Sequence, residues 1–259
     1  TLNAGGISQT GGAITASSLE LLGSGTQTLN SASNNVATLA GNVSGSVIYK
    51  DADTPDIGAA GTSFGINTNG NGLRLSVTGI TQSQPIVTGA LDLYVRNAGA
   101  VNLSNGGNSI GTLAAATSGA FTLNNTAANL TITTLTNPDG PTGGVNTGGN
   151  NFTLTTNNLT LGADAATYGG INVGAATVDL TTGAIAQDAN ALINAGSLAI
   201  RSSGSVILLK SGISVDTVAL NSTSTGGGAA LDVYNHRNVS IGTVNGVTGL
   251  TTASQPIKF

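Results

Sequence analysis

Charge is what this chain of 259 residues has least of: seven Lys and Arg and eleven Asp and Glu together make 7% of it, against roughly 25% in an ordinary soluble domain. Surface helices depend on Lys, Glu and Arg for solubility and i,i+4 pairing, so a helical protein is excluded. Cysteine, methionine and tryptophan are absent and aromatics amount to 3%. Without disulfides, a secreted chain must be held by another cross-link, here the repeated hydrogen bonding of strands, and it could cross a membrane unfolded. One histidine and no cysteine cannot make an ordinary zinc site. No apolar run approaches the ~18 residues of a membrane helix, so the chain is not membrane-spanning by that route. The basic residues lie scattered between Lys50 and Lys258 in a chain of net charge −4. With no basic stripe for phosphates, nucleic acid is not an expected partner, and charged side chains are expected as a surface scatter. The start at Thr1, without Met or a signal segment, reads as a processed chain or a fragment of a longer one.

What is present is small, polar and aliphatic. Hydrophobic residues reach 39% and glycines number 39. The aliphatics recur in short alternating runs such as Leu130-Thr131-Ile132, Phe152-Thr153-Leu154 and Leu159-Thr160-Leu161. A disordered coil has no reason to keep that spacing. Period-two alternation puts one aliphatic face inward and Thr, Asn or Asp outward, which is all-β.

Self-comparison then reveals repeats. Gly6-Ile7-Ser8-Gln9 aligns with Gly79-Ile80-Thr81-Gln82 and Ala184-Ile185-Ala186-Gln187, each followed by an aliphatic at Ile14, Ile86 or Ile193. Leu19-Glu20-Leu21, Leu91-Asp92-Leu93 and Leu198-Ala199-Ile200 come next. The second half of the unit recurs as Val36-Ala37-Thr38-Leu39-Ala40, Ile110-Gly111-Thr112-Leu113-Ala114 and Val215-Asp216-Thr217-Val218-Ala219. A strand follows each, at Val47-Ile48-Tyr49, Phe121-Thr122-Leu123 or Leu231-Asp232-Val233. Units thus begin near residues 6, 79, 183 and 249 within a single segment spanning 1–259, and the longer middle unit implies extra coils around Asn150 to Val178.

Asn-Gly pairs occur, as at Asn69-Gly70 and Asn245-Gly246, but not at every strand junction as a hairpin meander would need. Turns of varying length suit the corners of a coil. The expectation is a right-handed parallel β-helix of about a dozen coils, each of roughly 20 to 25 residues, forming a rod about 55 to 60 Å long. A narrow core of this kind takes Val, Ile, Leu, Ala and Gly and few aromatics.

The pattern Gly-Ile-x-Gln…Ile…Leu-x-Leu, with Asn-Val-Ala-Thr-Leu-Ala at 35–40 and Gly-Ile-Asn-Thr at 65–68, resembles the repeat region of filamentous haemagglutinin-type exoproteins over essentially the whole chain. The resemblance implies a right-handed parallel β-helix exported by two-partner secretion and acting at the bacterial surface in adhesion, aggregation and biofilm formation. The Asn-Pro-Asn motifs of that family's secretion domain are missing; the only Asn-Pro is Asn137-Pro138. The chain therefore resembles shaft, not secretion signal.

Parallel β-helices also include polysaccharide lyases and glycosidases, which need clustered carboxylates or a basic partner. The one local acidic cluster is Asp51, Asp53 and Asp56. As a calcium loop it has no Gly at the sixth place and no acid at the twelfth, and it reads as a solvated loop. His236 is the sole histidine and reads as an exposed corner. Gly70-Asn71-Gly72 and Gly226-Gly227-Gly228 lack the Lys and helix of a phosphate loop and read as turns. Thr131-x-Thr133 and Thr153-x-Thr155 would give only a short version of an ice-binding array. Asn-x-Ser/Thr sequons begin at Asn42, Asn102, Asn124, Asn129, Asn151, Asn158, Asn221 and Asn238, as expected by chance in such a composition.

The functional expectation is a secreted or cell-surface structural and adhesive shaft, with no enzymatic activity, catalytic residues or cofactor. Its partners would be itself, by end-to-end stacking through open strand edges, or glycans and proteins of host and neighbouring cells. A carbohydrate-active or ice-binding β-helix is the alternative.

Overall fold

The computed structural model describes residues 1–96, 99–136, 142–162, 170–188, 191–208, 212–225, 231–253 and 256–258. Within them every regular element is a strand, and 28 strands join one sheet. The chain is a parallel β-helix. One ladder of twelve strands runs Ile7, Gln27, Val47, Leu73, Leu91, Leu113, Ile132, Leu161, Gln187, and from Ile185 of that last strand to Val206, Leu231 and Ile257. Every step in it is parallel, so eleven rises of about 4.8 Å give a length of roughly 53 Å. A second column carries Val101, Phe121, Phe152, Val178, Leu198, Val218 and Ile241 in the same manner.

Alternation builds the core. Along Phe121–Asn125 and Phe152–Thr156 every second residue is buried. Each inward side chain then lies on its equivalent in the next coil, as Phe121 lies on Phe152 with ring centroids 5.4 Å apart and planes tilted by 37°. Corners demand the opposite of bulk. A Cβ on Gly45 would stand 2.2 Å from the carbonyl oxygen of Gly25, so the backbone of one coil rests directly on that of the previous coil.

Two pieces of the repeat signature prove to be polar joints. Gln9 and Asn34 hydrogen-bond to each other through both amides, at 2.8 and 3.1 Å, and the Asn34 oxygen also accepts the amide of Ile14 at 2.8 Å. Gln82 and Asn108 repeat this one unit later, with Asn108 accepting from Ile86 at 2.8 Å. Asn34 and Asn108 are fully buried, and each also donates to two main-chain carbonyls, Leu29 and Lys50 in one case and Leu103 and Asn124 in the other. A buried amide with all its groups engaged fixes the register of three coils. In the third copy the main-chain carbonyl of Gly212 takes the amide of Ile193 instead, at 3.0 Å.

Antiparallel pairing, not expected from the repeats, appears as local insertions. At 58–65 and again at 242–249 a hairpin leaves the coil and returns. Gly65 donates to Gly58 at 2.8 Å and Gly249 to Gly242 at 2.8 Å, closing each hairpin at its base. The second uses Asn245 and Gly246, both with positive φ (46° and 78°), which match the twist of a two-residue turn. A third insertion leaves at the same corner, where Leu135 and Thr142 form an antiparallel bridge; residues 137–141, which carry the Asn137-Pro138 pair, lie outside the described residues.

Candidate functional site

The acidic cluster singled out in the sequence does not converge. Asp51 is fully buried and caps a coil: its carboxylate accepts the amide of Val36 at 3.1 Å, the amide of Asp53 at 2.8 Å and the hydroxyl of Tyr49. Asn125 and Asn235 stand at the equivalent corners, accepting from Ile110 at 2.7 Å and Val215 at 2.9 Å. Aligning Asp51 with those two asparagines was the available signal that its role is a cap. Burial, then the adjacent Asp51 carboxylate, push the Tyr49 hydroxyl far above its ordinary pKa of 10, so it stays a donor. Asp53 accepts from Asn35 at 2.9 Å, and Asp56 from Thr81 at 3.0 Å and from Ser83. Among the described residues no three His, Cys, Asp or Glu side chains group as metal ligands.

The remaining singled-out residues fall at separate places. His236 is exposed, with its ring edge-on to Tyr234 at 5.4 Å. The row holding Thr153 runs from Thr122 through Thr153 to Asp179 and Ala199, and the row holding Thr131 runs from Thr112 through Thr131 and Thr160 to Ala186, so these threonine rows stop after two and three coils. Gly70 and Asn71 close a corner in which Asn71 donates its amide to the Thr68 carbonyl at 3.1 Å. Gly226, Gly227 and Gly228 lie outside the described residues.

The hairpins fold back over earlier coils and are pinned there by charge. Glu20 is buried beneath the first, accepting from the Thr62 amide at 2.7 Å and hydroxyl at 2.9 Å, from Ser63 at 3.1 Å and from Thr1 at 2.8 Å. Under the second, Arg201 reaches both Asp179 and the Asn245 carbonyl, while the Asn245 side chain donates to Asp179 at 3.0 Å. Ala199 and Ala219 face outward there and form a small core with Val244 and Val247. Alanine at those outward positions leaves room for the hairpin.

The Thr1 hydroxyl and the Thr62 amide, helped by the Thr62 and Ser63 hydroxyls and opposed by burial, draw the Glu20 carboxyl down from 4.5 to about 2. A folded-state pKa below the unfolded one stabilises docking above pH 4.5, and that stabilisation is lost as pH falls through about 2. The exchange protection of the Thr62 amide should therefore drop across this window, and Glu20→Gln should weaken it at neutral pH and flatten the dependence. A protection factor unchanged between about pH 5 and about pH 2 would refute this.

Basic residues do not form the expected scatter. Coiling brings Lys50, Arg74 and Arg96, about 22 to 24 residues apart in sequence and so about one coil apart, onto one groove of about 600 Å³ with Tyr94, Ser76 and Asn146. Lys50, Ser76, Tyr94, Ala116 and Asn146 occupy one outward row on successive coils. Tyr94 is 46% exposed and lies between the small Ser76 and Ala116. Arg74 lies 3.8 Å from Asp92, and Arg96 donates to the Asp51 main-chain carbonyl and, at 3.5 Å, to the Thr78 hydroxyl. The three basic residues stand 24 and 22 positions apart, so the chain shows no run of charge there, and the coil period was the signal for their meeting.

Compared with protein-family models, with curated proteins and with solved structures, the chain matches none significantly.

Proposed function

We propose that the chain is a stretch of secreted or cell-surface β-helical shaft that mediates adhesion, aggregation or fibre and biofilm formation, of the filamentous haemagglutinin type exported by two-partner secretion. The observation that carries the reading is the unbroken parallel ladder from Ile7 to Ile257. Its hydrogen bonds lie along the rod axis, so pulling on the rod loads many bonds in series with a packed core beneath them, and the outward rows are left free to vary. Such an element holds contact surfaces away from a cell. Its partners would be glycans or proteins of a facing cell surface, or further copies of itself, and its place would be outside the bacterial cell. The repeat signature Gly-Ile-x-Gln supports the family assignment.

Beads coated with the protein test the reading. Under shear they should be retained on bacterial or epithelial cell layers several-fold better than albumin-coated beads. Retention equal to albumin, or release of reducing ends from polysaccharides offered to the protein, would overturn it.

A further inference from the structure

We infer that the groove around Tyr94 is a binding site for an acidic saccharide, recognised by its carboxylate and by the flat face of a sugar ring. This deepens the adhesive reading and rests on it for the source of the ligand. Three observations carry it.

First, the groove gathers Lys50, Arg74 and Arg96, three of the chain's seven basic residues, in a protein of net charge −4. Among the described residues two acidic groups stand nearby: Asp92, 3.8 Å from Arg74, and Asp51, buried with its carboxylate turned to Val36, Tyr49 and Asp53. Among the described residues the hydrogen-bond acceptors of Arg96 are both uncharged oxygens, so its exposed guanidinium retains its charge for an anion. Arginine's planar fork suits a carboxylate.

Second, Tyr94 is an exposed aromatic in a chain with eight Phe and Tyr in all. Serine on one side and alanine on the other leave its ring open along the row. The electron-rich face of such a ring attracts the polarised C–H bonds of a pyranose. Third, the exposed Asn146 in the lining brings a neutral amide suited to sugar hydroxyls, and the small Ala32, Ala116 and Gly143 leave room beside it. The row advances about 4.8 Å per coil, close to the length of one pyranose unit, so a short oligosaccharide could run along the rod in register with it. A single aromatic, without the series of stacking platforms that single-stranded nucleic acid uses, favours the saccharide.

The test is calorimetric titration of the full chain with a glucuronate-containing tetrasaccharide, with the same sugar after reduction of its carboxylates to alcohols, and with oligothymidylate. The charged sugar should bind, its affinity should fall with added salt, and the reduced sugar should bind at least about tenfold more weakly. Tyr94→Ala, at an exposed position, should lose about tenfold with unchanged circular dichroism, and Arg96→Gln should lose affinity for the charged sugar while binding of the reduced sugar changes little. Equal binding of the two sugars, tighter binding of oligothymidylate, no binding, or insensitivity to Tyr94→Ala would each overturn the inference. Bead retention separates the two readings. Wild-type beads that adhere while the sugar fails to bind sink the groove assignment alone, and beads that fail to adhere while the sugar binds sink the adhesive shaft alone.

Discussion

Asn108→Ala should destabilise its coils by about 3–5 kcal/mol, one of the largest single-residue effects in the chain. The Asn108 amide is fully buried and bonds the amide of Ile86, the carbonyls of Leu103 and Asn124, and both ends of the Gln82 side chain. Alanine removes one partner of every bond and leaves the others buried without one, which costs more than the net worth of the bonds themselves. Because each coil touches only its neighbours, the damage should be local. Hydrogen exchange should accelerate most in the strands Ile86–Val95, Val101–Leu103 and Phe121–Asn125, and least near residues 213–222. Uniform acceleration along the rod, or none, would contradict this account. Asn34→Ala should behave alike one unit earlier, since its bonds are the same.

Gly45→Val should cost at least about 3 kcal/mol for a different reason. The new Cβ would sit 2.2 Å from the Gly25 oxygen and 2.4 Å from its carbon, both main-chain atoms that cannot swing away. Two coils would have to part at that corner, breaking the pairing of Gln27–Leu29 with Val47–Lys50. Gly11→Ala is the control, because a Cβ there meets nothing within 4 Å. Urea titration of the two variants should show a large loss for the first and almost none for the second; similar losses for both would mean that the close approach of coils is not what selects glycine at position 45.

These two residues show how far the repeat signature could be read. Gln9, Gln82 and Gln187 stood out as a recurring letter, yet its meaning lay in a second residue 25 or 26 positions on, Asn34 or Asn108, which no local motif includes. The third unit has Ile213 at that place, and the same amide is met by the main-chain carbonyl of Gly212 just before it. Asp51 read as part of a solvated loop with Asp53 and Asp56, and it is instead a buried corner cap because it accepts the amide of Val36. The hairpins at 58–65 and 242–249 were illegible for the opposite reason: they are insertions that interrupt the period, and their glycines and alanines look like every other corner.

The alternation of aliphatic and small polar residues, the scarcity of charge and the recurrence of a long unit were enough by themselves to dictate parallel coiling, since period two selects strands and repetition selects stacking on like neighbours. Which residues meet across coils depended on a spacing that varies from 18 to 31 residues between rungs, as from Leu73 to Leu91 and from Phe121 to Phe152. Insertions and corners set that spacing one coil at a time. Only the folded register could therefore bring Lys50, Arg74, Arg96 and Tyr94 to one groove, or lay a hairpin over Glu20.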